Sequence, residues 1–380
     1  MKKKWIACLL AGIMAASLTL TGCSSSSEDT SDDAEETEVE EEEEVVYKVA
    51  IVKYVDDASL DQIEAAMQEE FDLMGEELGV TFNYEDYTYN GQADSSVMNQ
   101  IASDLIADEV DIIIPIATPA ALIMQSATEE NQIPVVFSAV TDPVGAGLVE
   151  SLEEPGSNIT GTSDALDTEA VLDLMFAADP DITTVGLLYD KSQDSSTAAI
   201  EEAKAYLEEK GVTVVEKTGT TTDEISLAAD ALIAAGCEAV FTPTDNTVMT
   251  AELTIFEKFQ EAGVAHYCGA DSFALNGAFC GYGVNYEELG VATADMAIEI
   301  LVDGADPATL AVQTLDNGIA TVNTETAEII GLDYSMFADM CEELVETVTA
   351  ESFDDIDDEE EDADEEEADE EEDSESEEEE

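Results

Sequence analysis

Two series of alternating strand and helix patterns constrain the fold of this chain more than any other feature. The first series begins with an apolar strand at 47–52 and a helix that Asp61 can cap and Gly79 ends. It continues through a strand at 80–84 and an apolar run at 110–116, interrupted only by Asp111, which is typical of a buried parallel strand. Strands that alternate with helices predict a parallel sheet with helices on its faces.

A second series of the same kind begins at residue 184 and closes with a last long helix at 286–302, before Gly304. Its other segments are strands at 184–189, 212–215, 239–241, 264–268 and 278–282, and helices at 195–210, 223–235 and 247–262. The predicted fold class is therefore α/β, with two lobes that are each a parallel sheet flanked by helices.

The first 23 residues have the pattern of a secretory signal. Three lysines at positions 2–4 precede an apolar stretch at 5–20, which is too short to span a membrane as a normally flanked helix. The Leu-Thr-Gly-Cys sequence at 20–23 then resembles a bacterial lipobox, whose cysteine is lipidated and becomes the first mature residue. We expect Cys23 to anchor the protein by its acyl chains to the extracellular face of the cytoplasmic membrane.

The chain is very acidic, with 93 Asp and Glu residues against 10 Lys and Arg, a formal net charge of -83, and no Arg at all. Much of the charge lies in 24–45 and 351–380, which we predict to be a disordered linker and a disordered tail. Such a surface repels nucleic acid, so none is expected as a partner. Without Arg, a ligand carboxylate must be held by helix N-termini, backbone N–H groups, hydroxyls or Lys.

Open parallel sheets bind ligands at the carboxyl ends of their strands, and small polar residues follow two strands of the first series there. Thr118 comes after the apolar run, at a helix that Pro119 opens, and its hydroxyl and the free N–H groups could seat an anion. A simple helix cap is the alternative. Asp142, before Pro143, could contact a ligand or only shape a turn.

The matching loops of the second series are acidic. They lie at 189–192, 242–247 and 269–272, and they include Tyr189, Asp245, Asn246 and Asp271. Three acidic loops that face one cleft could hold an ammonium group, although each of them alone could equally be a helix cap or a turn.

Local sequence patterns do not indicate an enzyme. The single histidine, His266, lies inside a predicted strand, and no Ser–His or Cys–His pair and no phosphate-cradling glycine motif is suggested. We therefore expect no catalytic residue, no metal and no cofactor.

Four segments resemble the signatures of the tryptophan/tyrosine-type ABC transporter substrate-binding proteins. The longest reads VFSAVTDPVGAGLV at 136–149, and the others read IATPA at 116–120, NITGTS at 158–163 and PTDNTV at 243–248. The resemblance covers roughly 46–332. It departs from the family's pattern at Lys53–Asp57, where a His-Pro-type loop is expected.

The resemblance implies a type I periplasmic-binding-protein fold, with three hinge crossings near 158–162, 281–285 and 308–313, and a ligand of the aromatic amino-acid class. The site residues that it implies are Thr118 and Ala120 for the carboxylate, Thr141, Asp142 and Ser163 nearby, and Asp245, Asn246 and Asp271 on the ammonium side. We expect lobe 1 to span 46–158 and 284–310, and lobe 2 to span 159–283 and 311–350.

The predicted function is that of a monomeric lipoprotein which closes its two lobes on a small solute, an aromatic or other hydrophobic amino acid, and delivers it to ABC permease and ATPase subunits. Three alternatives stay open. They are a ligand-sensing surface lipoprotein that feeds a signalling receptor, an extracellular enzyme that turns over a substrate, and a surface interaction protein that uses the acidic tail.

Overall fold

Strands and helices alternate through residues 45–350 and 352–353, the part of the chain that the computed structural model describes. The strands are β1 (Val45–Lys53), β2 (Val80–Asn83), β3 (Thr88–Asn90), β4 (Ile112–Ile116), β5 (Val135–Phe137), β6 (Ile159–Ser163), β7 (Thr184–Tyr189), β8 (Thr213–Thr218), β9 (Ala239–Thr242), β10 (Ala265–Cys268), β11 (Cys280–Gly283), β12 (Gln313–Thr314), β13 (Ile319–Asn323) and β14 (Glu343–Thr347).

The α-helices are α1 (Ala58–Leu78), α2 (Ser95–Ala107), α3 (Thr118–Thr128), α4 (Thr168–Ala178), α5 (Asp194–Glu209), α6 (Thr222–Ala234), α7 (Asn246–Ala262), α8 (Asp271–Leu275), α9 (Tyr286–Ile298) and α10 (Thr324–Ile330). The predicted signal with Cys23 lies outside the described residues, as do the linker before residue 45 and the tail beyond residue 353. No helix in the described part of the chain combines the length and the apolar character that a membrane span needs.

The strands form two sheets. The first has the order β12-β6-β5-β4-β1-β2, with β3 also paired to β1, and all of its neighbours are parallel. The second has the order β14-β13-β11-β10-β9-β7-β8 and is parallel except where β11 meets β13. The two predicted series of strands and helices therefore correspond to two sheets and two lobes.

The chain passes between the sheets three times. The sheet order places β6 and β12 in the first sheet, so the first and third connections are the segments 164–167 and 315–318. The second connection, at 284–285, joins β11 to α9, which packs on α1. The resemblance implied a first crossing near 158–162 and a lobe 2 that begins at residue 159. Residues 159–163 instead form a buried strand that pairs with β5 and so belong to the first sheet.

Gly161 allows β6 to pack closely against β5 at the end of the paired region. Its φ is 155°, and a Cβ atom at this position would lie 2.0 Å from the carbonyl oxygen of Phe137. Glycine is therefore required for the last contact between β5 and β6.

Helix α1 begins earlier than its polar residues suggest. Asp57, and not Asp61, caps it by accepting a hydrogen bond from the N–H of Ser59. The predicted apolar stripe is confirmed at Ile63, Met67 and Phe71, which are buried under the first sheet. The last long helix, predicted at 286–302, is α9, and the only α-helix after it in the described residues is the seven-residue α10.

Candidate functional site

A small cavity of about 10 Å³ lies between the two lobes, at the carboxyl ends of the parallel strands. Lobe 1 and the first connection contribute Ser59, Leu60, Ala117, Thr118, Ala139, Thr141, Asp164 and Tyr286, and lobe 2 contributes Ser195, Thr244, Asn246 and Met249. This space is about that of one water molecule, so the lobes meet closely over these residues in this structure.

The first polar feature of the cavity is the start of α3. Ala117 turns the chain sharply from β4 into the helix with a φ of 80°, and its side chain cannot cap the helix. Thr118 follows, only 2% exposed, and its hydroxyl has no hydrogen-bond partner among the described residues. A buried hydroxyl without a partner costs about 1–3 kcal/mol, which an oxygen atom of a bound ligand would recover.

The start of α5 is the corresponding feature of lobe 2. Its N-cap residue, Gln193, makes no side-chain capping hydrogen bond. Ser195, in the first turn, is 3% exposed and lines the cavity, and its hydroxyl also finds no partner within residues 45–350. Asp194 is exposed, so the buried polar side chains that α5 contributes in its first turn are the hydroxyls of Ser195 and Ser196, and that of Ser196 donates to Asp245.

These two helix ends differ from the others. Elsewhere in the described chain, only the five-residue α8 lacks a side-chain cap. The capped helices are held by Asp57, Asp94, Asp167, Thr221, Asp245, Asn285 and Asn323. Free N–H groups at a helix N-terminus favour a negative charge. The cavity therefore offers an anion seat that is divided between the lobes.

Asp164 is the one charged side chain among the residues that line the cavity. It follows β6 directly, is 4% exposed, and accepts a hydrogen bond of 3.1 Å from the hydroxyl of Thr141. Burial raises the pKa of Asp164 to about 6, so it is ionised at neutral pH and can pair with an ammonium group.

The rest of the cavity surface is mainly apolar. Leu60 and the ring of Tyr286 come from the helices α1 and α9, and Met249 comes from α7 in the facing lobe. Tyr286 is buried, and this burial raises the pKa of its phenol, so the side chain stays neutral. An apolar side chain of a ligand can pack against these groups.

The structure brings together part of the site that the sequence predicted. Thr118, Thr141 and Asn246 line the cavity. Ser163 lies directly behind it, where its hydroxyl donates to the carbonyl oxygen of Thr141 at 3.4 Å. The side chain of Ala120 is buried in the apolar core of lobe 1.

Asp245 is close to the cavity, but both of its carboxylate oxygens already accept hydrogen bonds from other groups of the protein. Its carboxylate accepts hydrogen bonds from the N–H groups of Asp190, Thr247 and Val248 and from the hydroxyl of Ser196. This network joins the loops after β7 and β9. The role of Asp245 in the structure is to position Asn246 rather than to face a ligand.

Three further predicted residues lie outside the cavity lining. Asp142 accepts the N–H of Gly145 at 2.7 Å and so closes the turn after β5. The hydroxyl of Tyr189 donates to Glu216 at 2.7 Å, at the β7–β8 edge. Asp271 receives hydrogen bonds from two side chains of α1, so it forms a contact between the lobes.

Sequence reasoning missed Asp164, Ser195 and Tyr286. Asp164 is the residue after the NITGTS segment, and that position was available as a signal. Ser195 gave a weaker signal, because Ser, Gln and Asp all precede it and the sequence cannot show which of them caps the helix. Tyr286 was assigned only to a helix, and its place in the cavity depends on the second connection between the lobes.

His266 takes part in a buried cluster away from this cavity. Its Nε2 lies 2.7 Å from the hydroxyl of Thr242, and its Nδ1 lies 3.0 Å from Glu252 Oε1. All three side chains are sealed in the core of lobe 2. In residues 45–350, no group of three or more His, Cys, Asp and Glu side chains is arranged to hold a metal ion.

Two parallel-sheet lobes that are joined by three connections and enclose a cavity define a solute-binding protein of the type I periplasmic-binding-protein fold. A family model of the ABC transporter substrate binding protein family matches residues 48–336, and the chain belongs to this family. Its members bind solutes and are not enzymes, and they act outside the cytoplasm.

Known relatives agree in fold and length. The chain is 29% identical over 334 residues to the tyrosine-binding protein of Clostridioides difficile (strain R20291), covering 87% of this chain and 93% of that protein. It is 30% identical, with a TM-score of 0.72, to the ABC domain in complex with L-Trp from Streptococcus pneumonia. This match covers 79% of this chain and 99% of that one.

A further solved structure is the ligand-free, open structure of a substrate-binding protein with adhesive properties from Clostridium difficile. It is 29% identical to this chain, with a TM-score of 0.61, and the match covers 80% of this chain and all of that one.

Proposed function

We propose that this protein binds an amino acid with an aromatic or other large apolar side chain between its lobes and delivers it to the permease of an ABC importer. The observation that supports the proposal most is the pair of uncapped helix N-termini, α3 in lobe 1 and α5 in lobe 2, with their partnerless buried hydroxyls. A carboxylate that accepts hydrogen bonds from both ends would hold the lobes together.

Asp164 supports an amino acid over a simple carboxylic acid. It lines the same cavity as Thr118 and Ser195 and is ionised at neutral pH, so it suits an α-ammonium group. The absence of Arg from the sequence is consistent with this arrangement, because the carboxylate is met by helix ends and hydroxyls instead of a guanidinium.

The relatives support the solute class. One binds tyrosine by name, and another was solved with L-Trp bound. At nearly equal identity, the structure superposes better on the L-Trp complex than on the ligand-free, open relative. This difference agrees with lobes that are closed over the cavity here, and it supports hinge closure as the mechanism of binding.

The membrane attachment is part of the same proposal. The lipobox at 20–23 would place a lipid on Cys23, and the acidic linker would tether the two lobes near the importer. Metabolic labelling with a palmitate analogue tests this step, and a Cys23→Ser variant should lose both the label and the membrane fraction.

A direct test uses the fluorescence of tryptophan. The only Trp of the chain is Trp5, in the predicted signal, so the mature protein has none. A change in the emission of L-Trp on titration with purified mature protein therefore reports ligand that is bound. Parallel thermal-shift screens with amino acids, nucleosides and sugars give the comparison. Stabilisation only by solutes that are not amino acids would overturn the assignment.

A further inference from the structure

Ser59, in the first turn of α1, links two carboxylates that belong to opposite lobes. Its N–H donates to Asp57 Oδ1 at 3.0 Å, and its hydroxyl donates to Asp271 Oδ1 at 2.5 Å. Gln62 donates to the second oxygen of Asp271 at 3.0 Å, and Ser59 accepts the N–H of Ser272 at 3.2 Å. Asp57 lies in lobe 1 and Asp271 in lobe 2, so closing of the lobes brings the two carboxylates together.

The surroundings of this pair contain no compensating positive charge among the described residues. Tyr286, from α9, is the phenol close to both carboxylates. The acids Glu287, Glu343 and Glu346, from α9 and β14, line the groove beside Asp271, and Asp164 lies near Tyr286. Lys53, at the end of β1, is occupied by ion pairs with Asp56, Asp61 and Glu64.

Two carboxylates that are brought together without a cation share a proton more easily than they stay doubly charged. Asp57 is only 9% exposed, whereas Asp271 keeps part of its surface open to a groove. Burial, together with the neighbouring charge of Asp271, raises the pKa of Asp57 to about 7. Burial raises the pKa of Asp271 as well, so the pair shares the proton, with Asp57 as the more strongly shifted group.

We propose that Asp57 and Asp271 form a proton-dependent latch, in which closing of the lobes takes up one proton from solvent and solute affinity rises as the solution becomes more acidic. The inference rests on the proposed function, because closure around a solute is what the latch modulates. Ser59 both joins the latch and lines the solute cavity, so latch and ligand favour the same closed arrangement.

The two states of Asp57 determine whether closure of the lobes is favoured at low or at high pH. In the closed arrangement the pKa is about 7, and with the lobes apart the carboxyl returns toward its ordinary value near 3.8. Between these values the closed form binds a proton that the open form lacks, so lowering the pH favours closure. Asp164 sets the lowest pH at which affinity still rises. Its own pKa is raised to about 6, and below that pH it loses the charge that pairs with an ammonium group.

Calorimetric titration of the mature protein with L-Trp tests the latch. The wild-type Kd should be about fivefold lower at pH 6 than at pH 8, because a tenfold gain from the latch is halved by protonation of Asp164, and buffers of different ionisation enthalpy should reveal net proton uptake. Asp57→Asn should abolish this pH dependence, because asparagine caps the helix equally well and does not titrate. Asp94→Asn is the matched control, since Asp94 caps α2 in the same way but is exposed, and it should keep the wild-type profile.

The outcomes separate the latch from the proposed function. Binding of L-Trp with the same pH profile in the wild type and in Asp57→Asn would overturn the latch and leave the function standing. If neither L-Trp nor L-Tyr binds at any pH, the solute assignment fails, and the melting temperature of the ligand-free protein then decides on the latch.

The ligand-free test uses the same raised pKa. A carboxyl with a raised pKa stabilises the folded chain at low pH and loses that contribution as the pH rises through about 7. Asp57→Asn should therefore raise the melting temperature at pH 8 by more than at pH 5. Equal shifts at both pH values, or a shift matched by Asp94→Asn, would overturn the latch.

Discussion

The hydroxyls of Thr118 in lobe 1 and Ser195 in lobe 2 line the same cavity, and both are buried without a hydrogen-bond partner in the described part of the chain. Each lies in the first turn of a helix that has no side-chain cap. We propose that one ligand anion binds between them and accepts a hydrogen bond from each lobe.

The first prediction concerns these two hydroxyls. Thr118→Val and Ser195→Ala each remove a hydrogen bond to the ligand carboxylate and should weaken amino-acid binding by about 2 kcal/mol, or roughly thirtyfold, in calorimetric titration. The control is Thr168→Val, because Thr168 is also buried with a partnerless hydroxyl but does not line the cavity. Equal losses of affinity in Thr118→Val and Thr168→Val would contradict a specific role for Thr118.

The second prediction concerns the charge on Asp164. Asp164→Asn keeps the hydrogen bond from Thr141 but removes the partner of the ammonium group, so affinity should fall at least tenfold at pH 7. Because the pKa of Asp164 is raised to about 6, wild-type affinity should also fall as the pH drops below 6. That fall should be absent in Asp164→Asn.

Asp142→Asn serves as the control for Asp164. Asp142 lies outside the cavity lining and closes a turn, a task that asparagine also performs. Its affinity and pH profile should match the wild type. A loss of affinity in Asp142→Asn as large as that in Asp164→Asn would mean that the ammonium site has been placed wrongly.

The third prediction concerns the packing of β6. Gly161→Ala places a methyl group 2.0 Å from the carbonyl oxygen of Phe137, which the two paired strands cannot accommodate without moving apart. We expect a loss of about 2–4 kcal/mol in the free energy of unfolding, measured by urea denaturation. At Gly79 the added methyl group meets open space, so Gly79→Ala should cost only about 1 kcal/mol, because of its φ of 69°.

The sequence predicted the two series of strands and helices because hydrophobic periodicity reports local structure directly. It placed Thr118 correctly at a helix start because Pro119 and a buried strand bracket it. It placed the cap of α1 at Asp61, four residues late, because Asp56, Asp57 and Asp61 are all possible caps and only the fold selects Asp57.

The rest of the site depends on long-range geometry. Asp271 looks like a ligand-facing acid in the sequence, but α1 of the other lobe supplies its hydrogen bonds. Asp245 is similar, since the loop after β7 and the start of α5 use up its carboxylate. In a chain with 93 acidic residues, composition cannot distinguish an acid that meets the ligand from one that holds two loops together.

The most direct measurement is a crystal structure of the mature protein with bound L-tryptophan. We predict that the ligand carboxylate lies within hydrogen-bonding distance of the Thr118 and Ser195 hydroxyls, with the ammonium group on Asp164. A ligand bound elsewhere, or one held in this cavity by groups of a single lobe, would contradict it.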